Sequence, residues 1–254
     1  MLSVISAITN FDFVLLATHI NKTIIKTYHD KKFPNESPAY RNARNELLEA
    51  EINLRRQTEA VAAMRRNLPN GGKLKEDYVF EEIDGNRNIK KTKFSELFEP
   101  EKNSLIIYSF MYAPQDEKPC PSCTSIIDGI DGMVFHAEQR VNIAVISKAP
   151  IEKLMQWAKN KGLKNMHLLS SLHNTYNADY FGENEKQNQQ PALNVFRKTD
   201  EGIFHFYATE LLFAPADKGE NARHVDSIWP LWNLFDLIPE GRGTNWHPKH
   251  NYTT

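Results

Sequence analysis

The chain has 254 residues, 41% of them hydrophobic and 25% charged, which is enough to bury a sizeable core without covalent staples. Lys plus Arg, 31, nearly balance Asp plus Glu, 32, and the net charge of -1 carries no basic footprint for nucleic acid or an anionic membrane. Two cysteines are too few for a disulfide-stapled secreted scaffold, so the pair is for chemistry or metal, and a cytoplasmic location is expected.

Residues 1–35 read as an extension that packs loosely or not at all. Its run Phe13-Val14-Leu15-Leu16-Ala17 looks superficially like the apolar part of an export signal. No Lys or Arg precedes it, Asp12 interrupts it, and it is shorter than the about 20 residues of a membrane span. Pro34 and Pro38 then bar a continuous helix, which marks a linker. In the segment 36–72, Ala43, Leu47, Ala50, Leu54, Val61, Met64 and Leu68 recur at steps of four and three, broken at Gln57, which predicts a long amphipathic helix. Pro69-Asn70-Gly71-Gly72 stops it. Its stripe is expected to pack against the following domain, with a homodimer seam as the alternative.

From 73 to 245 the pattern becomes that of an α/β domain. Tyr78-Val79-Phe80-Glu81 and the turn Asp84-Gly85 predict a hairpin, and Phe94 to Phe98 a helical turn. Leu105-Ile106-Ile107-Tyr108-Ser109-Phe110 reads as a buried central strand. A loop at 111–119, longer than a minimal connection, leads to Cys120-Pro121-Ser122-Cys123, after which an apolar stripe predicts a helix to about Arg140. Asp128 and Asp131 fall off that stripe and read as a solvated face. Asn142-Ile143-Ala144-Val145-Ile146-Ser147 is a second strand. Pro150 opens a helix ending at Gly162, and Met166-His167-Leu168-Leu169-Ser170 is a third strand. Strand, helix, strand, helix, strand implies a parallel sheet covered by helices. Residues 171–190 read as a polar surface loop or small helix. Pro191 launches a hairpin turning at Thr199-Asp200-Glu201-Gly202, and Val225, Ile228, Leu231, Trp232 and Phe235 predict a last helix before the polar tail 246–254.

The dithiol carries the chemistry. A Cys-x-x-Cys opening a helix after a strand places two sulfurs within one turn, where the helix N-terminus stabilises a thiolate. Cys120, at the helix end, is the expected nucleophile, and Cys123, one turn in, the resolving thiol. Pro191 is expected to be a cis proline facing them. Met111, Tyr112, Pro121 and Ser122 are the expected substrate-contacting residues. Zinc is the chemical rival, but no second cysteine pair completes a four-ligand site, so no metal or cofactor is expected.

Tyr40-Arg41-Asn42-Ala43-Arg44, Arg55-Arg56-Gln57-Thr58-Glu59, Asp77-Tyr78-Val79-Phe80, Tyr108-Ser109-Phe110-Met111, Cys120-Pro121-Ser122-Cys123-Thr124-Ser125, Asn174-Thr175-Tyr176-Asn177 and Trp232-Asn233-Leu234-Phe235-Asp236 together resemble a mostly bacterial thioredoxin-like family. That family is catalogued as a domain of unknown function and loosely linked to the alkyl hydroperoxide reductase/thiol-specific antioxidant group. The resemblance covers roughly 36–245. It implies a thioredoxin-like fold, a central mixed sheet flanked by helices, and suggests redox activity without naming a substrate. The peroxiredoxin motif places a threonine three residues before its reactive cysteine. Here Glu117 stands before Cys120, and Cys120 before Cys123, so the activating hydroxyl is missing.

The expected function is therefore a thiol-disulfide oxidoreductase whose partners are a protein or small-molecule disulfide and an electron donor. A dithiol peroxidase and a non-catalytic redox-sensing or interaction protein are the alternatives.

Overall fold

The computed structural model describes residues 27–219 and 221–252, so the apolar run at 13–17 lies outside the described residues. The chain forms two units, Met1–Arg66 and Asn67–Thr254. In the first, α1 (Pro38–Arg66) matches the predicted long helix. Ser37 Oγ accepts from the Tyr40 amide at 3.1 Å, which satisfies an amide of the first turn, and Arg65 and Arg66 sit at the negative end of the helix dipole. Leu47, Leu54, Val61 and Met64 of its apolar stripe are exposed.

The second unit is built on a seven-stranded mixed sheet. Its strands are β1 (Val79–Ile83), β2 (Ile89–Lys93), β3 (Ser104–Phe110), β4 (Asn142–Ser147), β5 (Leu168–Ser170), β6 (Ala192–Thr199) and β7 (Gly202–Ala208), in the order β2-β1-β5-β4-β3-β6-β7. β3, β4 and β5 run parallel, while β6 is antiparallel to β3 and β7 to β6. The helices are α2 (Pro121–Asp131), α3 (Val134–Ala137), α4 (Ile151–Lys161), α5 (Tyr176–Asp179) and α6 (Pro230–Phe235). This is the thioredoxin-like arrangement expected, with the dithiol leaving the C-terminal end of the central strand.

The period of two along β3 divides the core. Tyr108 and Phe110 join Ile126, Ile127, Ile151 and Leu154 on the face covered by α2 and α4. Leu105 and Ile107 join Phe80, Phe94, Tyr176 and Phe196 on the other. Phe196 meets Phe94 edge-on at 4.8 Å, a favoured aromatic geometry.

Three expectations change. The helix after the dithiol stops at Asp131 and resumes as α3 rather than running to Arg140. Gly132 is a weak helix former, and the Asp131 carboxylate turns away to accept the amides of Lys164, Asn165 and Met166 at 3.2, 2.9 and 3.2 Å. Asp131 thus anchors the entry to β5 instead of facing solvent, and Asp128 pairs with Lys161 at 2.9 Å. The polar stretch at 171–190 is partly core: Ser171, Tyr176 and Asn177 are fully buried, the Ser171 hydroxyl donating to the Asn177 carboxamide at 2.8 Å and the Tyr176 ring packing on Phe80 and Phe196. The C-terminal helix, Pro230–Phe235, begins at the proline that limits its start. The preceding turn instead buries Val225 and Trp229 in the core around α2.

Candidate functional site

Cys120 is the N-cap of α2, with extended backbone (φ -60°, ψ 126°), and Pro121 fills the first helical position, where a missing amide costs nothing. The Cys120 amide donates to the Met111 carbonyl at 3.0 Å, which ties the dithiol back to the end of β3. Its carbonyl receives both the amide and the hydroxyl of Thr124 at 2.9 Å, and its sulfur accepts the Cys123 amide at 3.5 Å. Both thiols are reduced; Cys120 is half-buried and Cys123 buried.

Their environments push the two thiols apart. The Cys120 thiol falls from 9.0 to about 6: the hydrogen bond from the Cys123 thiol lowers it most, burial opposes, and the Cys123 and Ser122 amides lower it further. The Cys123 thiol rises well above 9.0, because a Cys120 thiolate beside it and its own burial both penalise a second charge. One proton therefore stays on the pair at neutral pH, on Cys123. Thiolate is the alkylated form, so the rate of Cys120 alkylation by iodoacetamide is expected to climb through a midpoint near pH 6 and level off above it. Rates followed by mass spectrometry of the intact chain check this; a midpoint near 9 would contradict the geometry.

Cys120 opens on a cleft of about 380 Å³. One wall is the loop 111–119, represented by Met111, Ala113, Gln115, Asp116, Lys118 and Pro119. Asp116 shapes that loop by accepting the Ala113 amide at 2.8 Å. Lys153 of α4 fixes it from outside, donating to the carbonyls of Pro114, at 2.9 Å, and Asp116, while lying 4.8 Å over the Tyr112 ring. Ser147 of β4 donates to the Tyr112 carbonyl at 2.8 Å. Gln187, Asn188 and Gln189, from the loop before β6, also line the cleft, the Gln189 carboxamide accepting from Asn177 at 3.4 Å and donating to Glu183 at 3.3 Å.

Of the residues singled out in the sequence, Cys120 and Met111 meet in this cleft. The Tyr112 side chain is 4% exposed and packs on Phe110 and Trp157. Pro121 and Ser122 form the half-buried first turn of α2. Pro191 differs from expectation in its peptide bond: no bond among the described residues is cis. It enters β6 one residue before the Ala192–Ser109 pair, where the preceding Gln190 amide already bonds the Gly182 carbonyl at 2.8 Å, and an extended trans connection continues the strand. Its side chain lines a separate small cleft with Phe181 and Phe213. The carboxamide wall and Lys153 carried no signal in the sequence, since long-range packing brings them to the site.

Behind the dithiol, the Trp229 indole donates to Ser125 Oγ at 3.0 Å, and Pro230 packs against Gly129, where an added Cβ would stand 3.5 Å from its ring. Arg242, 11% exposed, closes this C-terminal segment on Asp226 and Asp236, both at 2.7 Å. Among the described residues, no three His, Cys, Asp or Glu side chains are placed to share a metal ion, and no helix is long and apolar enough to cross a membrane.

A sequence profile of a bacterial protein family of unknown function (DUF899) matches residues 30–253. No curated protein matches the chain. Solved structures similar to it include Plasmodium yoelii thioredoxin peroxidase I, at 16% identity and a TM-score of 0.43, covering 71% of this chain and 100% of that one. Plasmodium yoelii Prx1a gives 16% and 0.42 over 70% and 98% of the two chains. The exposed lipoprotein thioredoxin Etrx1 of Streptococcus pneumoniae gives 13% and 0.38 over 60% and 96%. At these scores none of them bears on the chemistry of the site.

Proposed function

The chain belongs to the bacterial family DUF899, whose description leaves the activity open, and from the site itself we propose that it is a thiol-disulfide oxidoreductase. The observation that carries the proposal is the split between the two thiols: a half-buried Cys120 lowered to about 6 at a cleft, and a buried Cys123 raised beside it. Two like groups driven apart by their surroundings divide the labour of nucleophile and proton holder. The Cys120 thiolate attacks one sulfur of a substrate disulfide, forming a mixed disulfide and expelling the first thiolate. Cys123 then gives up its proton and attacks Cys120 Sγ, forming the Cys120–Cys123 bond and releasing the second thiol. The dithiol is oxidised by two electrons and the substrate reduced by two, and an external dithiol returns the protein to its starting state.

The cleft favours a substrate that presents hydrogen-bonding groups beside its disulfide, because Gln187, Asn188 and Gln189 line it together with Cys120. Disulfide reduction coupled to dithiothreitol is the test. Cys120→Ser is expected to fall to the background rate, and full activity in that variant sinks the proposal.

A further inference from the structure

We propose that Tyr108 is a catalytic residue of the resolving step, its phenol supplying the hydrogen bond that a Cys123 thiolate needs in the core. The inference rests on the dithiol reading above. Tyr108 lies in β3, 1% exposed, in the same core cluster as Cys123, which is 2% exposed. A buried phenol almost always finds a partner. The Tyr108 hydroxyl meets none at normal hydrogen-bond geometry in the reduced protein, and its interaction with the Cys123 side chain is that of a donor too loosely placed to count as a full bond. The groups it acts on are the two thiols, Cys123 before Cys120, and it favours the ionised form of Cys123.

A donor so loosely engaged with a neutral thiol gains little while that thiol keeps its proton. It gains a charge-assisted bond when the thiol ionises. Stabilisation that exists only once charge has developed is the kind that raises a rate, since the ground state does not share it. Cys123 needs this help because its own surroundings oppose charge: burial and the neighbouring Cys120 sulfur act against the thiolate, and the Met111 backbone and Tyr108 act for it. In the mixed disulfide Cys120 has lost its charge to the new S–S bond. The phenol is then free to serve Cys123 alone. The step balances: Cys123 releases a proton to solvent, its thiolate forms the Cys120–Cys123 bond, the bond from Cys120 to the substrate sulfur breaks, and the departing thiolate carries the electron pair. Tyr108 keeps its own proton throughout, because burial and the thiols hold its phenol well above 10.0.

The experiment is stopped-flow reaction of the reduced protein with the aromatic disulfide dithiobis-nitrobenzoate, which releases one coloured thiolate when Cys120 attacks and a second when Cys123 does. In Tyr108→Phe, which keeps the ring and its packing, the first phase is expected unchanged. The second is expected to slow roughly tenfold, with its pH midpoint moved upward. Site-specific replacement of Tyr108 by 3-fluorotyrosine, a stronger donor of nearly the same shape, is expected to move the second phase the other way, and this arm stands if the phenylalanine variant folds poorly. A second phase with unaltered rate and pH profile in both variants overturns the inference, as does equal slowing of both phases, which would mark Tyr108 as a packing residue. A missing first phase in the unmodified protein overturns the reading of Cys120 as nucleophile itself, so the two failures are distinguishable.

Discussion

In Cys123→Ser the reaction is expected to halt halfway, with substrate held on Cys120 as a mixed disulfide. The hydroxyl that replaces the resolving thiol cannot attack sulfur, so the second thiolate has no route out. Cys120 keeps its attachment to the Met111 carbonyl and its place at the start of α2, because neither depends on the Cys123 side chain. One neighbour changes: the Cys123 thiol is the largest influence lowering Cys120, and a serine hydroxyl donating in its place preserves the direction of that effect. The expected result is a stable adduct of one substrate equivalent, seen as an added mass that dithiothreitol removes, with multiple turnover reduced at least a hundredfold, the order seen when a residue of a covalent mechanism is removed. Continued turnover at the native rate would mean that external thiol resolves the intermediate and that Cys123 is dispensable. Captured adducts from a cell extract would then identify the substrate directly.

Trp229→Ala is expected to cost about 3–5 kcal/mol of stability. The indole is 6% exposed, meets Trp232 edge-on at 5.3 Å, and carries the hydrogen bond to Ser125. Removing it opens a cavity between the C-terminal segment and α2 and leaves that hydroxyl without its partner. Trp229→Phe separates the two effects, because it retains most of the volume and loses the bond, for about 1 kcal/mol. Urea unfolding of both variants checks the ranking. Equal losses would assign the whole effect to the hydrogen bond, and a loss below about 1 kcal/mol in the alanine variant would show that the segment is not part of the cooperative core.

The parts of this architecture that sequence discloses are those governed by local periodicity. The alternation through Tyr108, Ser109 and Phe110, the Pro121 at a helix start and the turn Thr199-Asp200-Glu201-Gly202 place β3, α2 and the β6–β7 hairpin nearly where they stand. Side chains that leave their own element were illegible. Asp131 looked like an exposed helical acid, but it holds three amides more than 30 residues away in sequence. Tyr176 and Asn177 looked like residues of a surface loop or small helix; the small helix is there, but their burial depends on Ser171 and on aromatic neighbours from β1 and β6. Pro191 was the reverse case: its place opening the hairpin after the βαβ segment suggested a cis bond, and the observed strand entry is trans. Within the site, the two thiols were legible from spacing. The carboxamide wall was not, because nothing local links residues 187–189 to Cys120. Tyr108 lay in between: strand alternation assigns it to one face of the sheet, and the packing of α2 on that face puts Cys123 in the same core cluster.

The two banks of the cleft are secured in opposite ways. The 111–119 bank is bolted to the sheet and to α4 through Ser147 and Lys153. The carboxamide bank closes largely on itself: the Asn184 side chain accepts the amides of Lys186 and Asn188, both at 3.0 Å, and its backbone exchanges bonds with Gln187 and Asn188. Residues 184–188 therefore form an interchangeable tip, where length and side chains can vary without disturbing the strand that aims the thiolate. Under the proposed oxidoreductase function, substrate choice and redox chemistry are therefore separable traits, open to independent change by natural drift or by grafting.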